Sequence, residues 1–123
     1  VILVDTSVWV GHFRASDPTL VDLLERGLVL SHPFVVGELA LGNLKSRGLV
    51  LEALSQMPSV VKARDEEILT FIESHRLHGQ GVGYVDAHLL VSAKLTPSSK
   101  LWTLDQRLDA VAVKLDIAFP LRA

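Results

Sequence analysis

A chain of 123 residues, 49% hydrophobic and 21% charged, is long enough for one buried core and too apolar for disorder. It holds no cysteine, which excludes disulfides, thiolate zinc sites and thiol nucleophiles and fits a reducing cytoplasm. The formal net charge of -2 argues against a broad nucleic-acid-binding surface, but not against a local acidic site among scattered Lys and Arg.

The first element is VILV (1–4), an apolar run that predicts a short buried strand. A helix is expected from Thr6 to about Phe13, started by Asp5 or by Thr6 or Ser7. Asp17-Pro18 opens a second helix through VDLLER that stops at Gly27. LVLS (28–31) predicts a strand, broken by His32-Pro33, and FVVGELALGN an apolar helix ending near Gly42–Asn43. A short helix from Leu49 to about Gln56 closes at Met57-Pro58, and SVVKA (59–63) predicts a strand. Asp65 is the expected cap of EEILTFIESHRL, whose acidic first turn suits the helix dipole. HGQGVG is a glycine loop, Tyr84 to Lys94 a helix and TPSS a loop. KLWTL (100–104) predicts a strand, Asp105 to about Leu115 a helix, and DIAFP a last strand.

Strands and helices alternate, and the strands are apolar on both faces, as expected when helices cover both sides of a sheet. The expectation is therefore α/β, a central and mainly parallel sheet flanked by helices, in a single domain spanning 1–123. No apolar run approaches the ~18 residues that span a bilayer. The first residues carry no basic flank, so neither a membrane segment nor a signal peptide is expected.

In open α/β sheets, sites lie beyond the carboxyl ends of the strands. Asp5 and Asp105 both take that place, in VILVD and LWTLD. Either alone reads as a helix N-cap; two at equivalent strand ends suggest more. Glu38 has Phe34, Val35, Leu41 and Gly42 at helical spacing, and Asp86 has Leu89 and Leu90. Both are thus expected on apolar faces, where an unpaired carboxylate costs several kcal/mol or shifts its pKa. Either a salt bridge or a shared metal ion would compensate. Carboxylates without Cys or paired His favour a hard cation, Mg²⁺ or Mn²⁺, which suits phosphodiester hydrolysis.

The set VDTSVW, GELALG, GYVDAHLLVSA and TLDQRL resembles the PIN-domain nucleases, most closely the VapC-type toxins of toxin–antitoxin pairs. The resemblance covers essentially the whole chain, in order. It implies a PIN-like fold and a four-carboxylate metal site of Asp5, Glu38, Asp86 and Asp105, with Thr6 and Thr103 in supporting roles. It implies direct ligation of Mg²⁺ by Asp5 and Asp86, with Asp105 alongside, and water oriented or a second ion bound by Glu38. RNA would be cut to a 5′-phosphate and a 3′-hydroxyl. The partners implied are an RNA substrate, a cognate VapB-type antitoxin and a second copy of the chain, all in the cytoplasm.

The remaining features read as structural. The five histidines are scattered without an i, i+4 pair. HGQGVG is not a dinucleotide fingerprint and is expected to be a mobile loop near Asp86. Trp9, Phe13 and LVDLL are expected in the core, or else in a groove for an amphipathic antitoxin segment. Arg14, Lys45, Arg47, Lys94, Lys100 and Arg107 are candidate phosphate contacts. Phosphotransfer is the competing chemistry. An aspartyl nucleophile of the haloacid-dehalogenase type needs an acid where Ser7 stands, and a receiver domain needs an acidic pair that VILVDTS lacks. A PIN-like binding module without catalysis, or a non-toxin RNA-processing nuclease, are the other readings.

Overall fold

Three short parallel strands carry the fold in a computed structural model that describes residues 1–120. They are β1 (Ile2–Val4), β2 (Val29–Leu30) and β3 (Lys100–Trp102), in the order β2-β1-β3. The register places Leu3 opposite Leu30 on one side and Leu101 on the other. Leu3, Val4 and Leu101 have no exposed surface, as strands covered on both faces require. Seven helices surround them among the described residues: α1 (Thr6–Arg14), α2 (Pro18–Glu25), α3 (Pro33–Leu41), α4 (Arg47–Ser55), α5 (Asp65–His75), α6 (Tyr84–Leu95) and α7 (Gln106–Lys114). The α/β class and parallel sheet follow the sequence expectation.

Two expected strands shrink to single bridges. SVVKA meets the sheet only where Ser31 pairs with Ser59, and DIAFP only where Leu101 pairs with Ala118. Just past the first bridge, Val61 N–H turns to Thr96 Oγ1 at 3.0 Å, so its donor is lost to the ladder. After the second, Phe119 N–H bonds Leu101 O and the chain runs into Pro120, which has no N–H to donate.

The helix ends obey local chemistry. Asp17 Oδ1 accepts from Thr19 N and Leu20 N, with Pro18 at the first helical position of α2. At its other end Gly27 takes φ +67°, and Leu28 N–H closes onto Leu23 O. Asp65 proves to be the first residue of α5 rather than its cap. Arg64 holds that place, its N–H bound by Glu67 Oε1 at 2.9 Å. Likewise Asp5, not Thr6 or Ser7, caps α1 by accepting Thr6 N–H at 2.7 Å.

Helix α6 is the buried axis. Ala87 through Ala93 are all buried, in contact with β3 and α5, so its apolar residues run all round rather than along one stripe. Trp9, Leu20 and Leu23 join the core as expected, but Phe13 is 39% exposed. It falls in the last turn of α1, where it meets Trp9 and His12 rather than the interior. No described helix is long and apolar enough to cross a membrane.

Candidate active site

The site is built where β1 and β3 end side by side. Asp5 N–H bonds Trp102 O at 2.9 Å, which locks the two strand ends together. Asp5 itself is buried, yet well supplied with donors. Its Oδ1 takes Thr6 N–H, and its Oδ2 takes the hydroxyls of Ser7 at 2.9 Å and Thr103 at 2.7 Å. Each hydroxyl accepts in turn from the segment after β3: Leu104 N–H bonds Ser7 Oγ and Asp105 N–H bonds Thr103 Oγ1. Three donors satisfy the buried carboxylate and fix its orientation.

Asp105 lies on the adjacent strand end and caps α7, its Oδ1 accepting from Arg107 N and Leu108 N. Glu38 arrives from α3 and is tied to the β1 end by Thr6, whose hydroxyl donates to Glu38 Oε1 at 2.7 Å. The sequence places Glu38 on an apolar face, but that face is buried only in part, at Val35. Glu38 is exposed, and Leu41 beside it is 91% exposed. Asp86, in the first turn of α6, is the half-buried acid that the apolar-face argument predicts. Its Oδ2 accepts Gly83 N–H at 3.2 Å.

Neither Glu38 nor Asp86 has an ion pair among the described residues. Burial raises the Asp86 carboxyl above the ordinary carboxylate range, against the opposing hydrogen bond from Gly83. The charges of Asp5, Asp105 and Glu38 push it further upward. Such repulsion fades with distance, so the four acids named from the sequence share one neighbourhood.

They do not form a finished cage. Among the described residues no three carboxylate or imidazole groups are drawn together tightly enough to hold a metal ion as they stand. Mg²⁺, however, keeps several waters and needs only one or two direct carboxylates. The donor set fits such an ion. It is all oxygen, and each of Glu38, Asp86 and Asp105 commits one oxygen to the protein and leaves the other without a hydrogen bond among the described residues.

Thr6 and Thr103, expected in supporting roles, both touch the acids. Ser7 was expected only as an alternative cap, and its bonds to Asp5 and Leu104 make it a further member of the site. A hydroxyl two residues past a strand-end Asp was the available signal. Of the histidines, His32 and His88 are buried and lie together, ring centroids 6.3 Å apart. His32 Nδ1 caps α3 by accepting Phe34 N–H at 3.0 Å. Burial lowers its pKa to about 4, helped by the charges of His88 and Lys62. Neither histidine bonds any of the four acids among the described residues.

A groove of about 410 Å³ begins at Glu38 and runs along α1 and α3 to the start of α4, past Val10, Phe13, Leu39, Leu44 and Val50. Arg14 and Lys45 stand on its walls. The LVDLL stretch of α2, expected beside Phe13 in any such groove, does not line it.

Residues 2–114 match the family model of the PIN domain. The chain is also 44% identical over 117 residues to "Ribonuclease VapC32" of Mycobacterium tuberculosis strain CDC 1551 / Oshkosh, an alignment covering 95% of this chain and 94% of the relative. The same figures hold for "Ribonuclease VapC32" of strain ATCC 25618 / H37Rv.

Proposed function

Given that this chain belongs to the PIN-domain family, we propose that it is a Mg²⁺- or Mn²⁺-dependent endoribonuclease of the VapC type, formed by one domain over residues 1–123. The observation that carries this reading is Asp86: a half-buried carboxylate with no ion pair among the described residues, in the neighbourhood of Asp5, Asp105 and Glu38, whose charges act on it. That arrangement is costly in the protein alone and is relieved by a divalent ion.

When bound, the ion supplies Lewis acidity, which activates water and offsets charge on the phosphate. The chain's own part is positioning. Thr6 N–H, Ser7 and Thr103 hold the Asp5 carboxylate in one orientation, and that carboxylate would ligate the ion. Asp86 and Asp105 offer their free oxygens from α6 and from the end of β3. Glu38 is steered by Thr6 through Oε1, which leaves Oε2 to accept a hydrogen from the attacking water. In-line attack at phosphorus breaks the bond to the 3′ oxygen, which leaves with the bonding pair, takes a proton from solvent water to become a hydroxyl, and puts the phosphate on the 5′ side.

The inhibitor in this reading is a VapB-type antitoxin. An apolar segment with a basic end fits a groove lined by Val10, Phe13, Leu39, Leu44 and Val50 that ends on Glu38. A homodimer in the cytoplasm is the assembly proposed.

The test is cleavage of total cellular RNA by the purified protein, with Mg²⁺ or Mn²⁺ and with a chelator. Metal-dependent cutting is expected, abolished in Asp5→Asn and in Asp86→Asn. Undiminished cutting by both variants would remove the metal-site assignment. Growth arrest on expression of the wild type but not of Asp5→Asn marks the toxin. Harmless expression of both, with cleavage intact in vitro, points to an RNA-processing nuclease instead.

A further inference from the structure

The catalytic reading leaves one charge beside the site unused. Arg107 stands two residues past Asp105 in the first turn of α7, its backbone N–H given to Asp105 Oδ1. Its side chain is laid across Gly81, in the loop that leads into Asp86. A Cβ built on Gly81 would stand 2.5 Å from Arg107 Cδ and 2.7 Å from Nη1. Gly83 of the same loop donates its N–H to Asp86. The guanidinium thus lies between the segment carrying Asp105 and the one carrying Asp86.

Three other arginines are engaged, and Arg14 stands on the wall of the groove along α1 and α3. Arg26 and Arg64 pair with carboxylates, and Arg47 donates to the carbonyls of Ala40 and Gly42. Arg107 has no ion pair among the described residues. Its planar fork of donors is therefore uncommitted, at a place where four carboxylates would otherwise repel a polyanion.

We propose that Arg107 is the RNA-phosphate ligand of this acidic site, and that glycine at position 81 leaves room for its side chain in this path. The proposal rests on the endoribonuclease reading and names the residue by which that site holds its substrate's backbone. Gly81 also has φ +77°, so any substitution there carries backbone strain. Gly79 has the same kind of backbone, φ +72°, with nothing within 4 Å of a built Cβ, and so separates strain from contact. Lys114, exposed in the last turn of α7, controls for loss of charge.

The experiment measures binding of a labelled, mixed-sequence single-stranded RNA to Asp5→Asn protein, which leaves the RNA uncut, across a series of salt concentrations. Adding Arg107→Ala is expected to weaken binding about 10- to 100-fold. It should also make the plot of log affinity against log salt shallower by about 0.7, one phosphate contact on a single strand. Arg107→Lys should restore the slope but not the full affinity. Gly81→Ala should displace the Arg107 side chain and weaken binding by less than Arg107→Ala, adding nothing to it in the double variant, whereas Gly79→Ala and Lys114→Ala stay near the parent. Thermal melts of each variant keep lost folding apart from lost contact.

An Arg107→Ala variant with the parent's affinity and slope overturns the proposal, even while the wild type cuts RNA. Arg107-dependent binding by a wild type that never cuts RNA supports the phosphate contact and sinks the nuclease reading instead. Gly81→Ala behaving like Gly79→Ala overturns the part assigned to Gly81.

Discussion

The three strand ends of this molecule are alike in backbone and unlike in chemistry. Asp5 after β1, His32 just after β2 and Asp105 after β3 all have extended φ and ψ, and all cap the helix that follows. Around Asp5 the fold supplies three donors for a charged group. Around His32 it supplies one partner for Nδ1 and leaves Nε2 buried without any, so the ring is kept neutral. Capping alone therefore does not mark a functional residue. What differs is the rest of the side chain: hydroxyls meet the carboxylate at one joint, and burial leaves a ring nitrogen without a partner at the other.

The largest break in that comparison is catalytic. Asp5→Asn keeps an acceptor for Thr6 N–H but loses the charge, and RNA cleavage is expected to fall at least about 100-fold. His32→Asn, which also keeps a cap, should change cleavage by less than about tenfold when assayed at pH 7.5. Equal losses at the two joints would erase the distinction drawn between them.

A second effect belongs to His32 alone. With its folded pKa near 4 and an unfolded value of 6.5, the native state binds fewer protons than the unfolded state between those values. The stability it contributes is complete above pH 6.5 and is lost as pH falls toward 4, on the order of 3 kcal/mol across that window. Urea midpoints measured from pH 7 to 4.5 should therefore drop more steeply in the wild type than in His32→Asn. Parallel curves would show that the ring does not titrate as its burial requires.

The donors around Asp5 offer a finer test. Thr103→Val removes the 2.7 Å bond to Oδ2 without changing any acid, and is expected to cost 10- to 100-fold, roughly, in Mn²⁺ affinity or in cleavage. Titration calorimetry with Mn²⁺ distinguishes this from a folding defect. No change in either quantity would mean that Asp5 is held well enough by Thr6 and Ser7.

The smallest expected effect separates cap from charge at the third joint. Asp105→Ala should lower stability by about 1 kcal/mol through loss of the bonds to Arg107 N and Leu108 N, whereas Asp105→Asn should not. Both should weaken metal binding. A melt in which the two variants move together would assign the loss to charge rather than to capping.

The alternation of strands and helices and the cap at Asp17-Pro18 were legible from the residues, and so were the four acids as candidates, because each is a local signal. An apolar run, a capping side chain or a carboxylate among apolar neighbours is written within a few positions. What surrounds those groups was not. Glu38 follows the same neighbour rule as Asp86, yet it is exposed, because burial depends on what packs against α3 and not on α3 itself. SVVKA and DIAFP have the composition of strands, yet each makes one bridge, because a ladder needs partners at matching register. The bonds that define Asp5 reach across the chain: Thr103 is 98 residues away, and Ser7 meets Leu104 across 97. So the residues by themselves determined which groups can carry charge and which segments are helical, to within a residue or two at their ends. Only the tertiary structure decided which charged groups stay solvated, which histidine is buried neutral and which carboxylate meets hydroxyl donors, because those outcomes depend on groups brought in from distant segments.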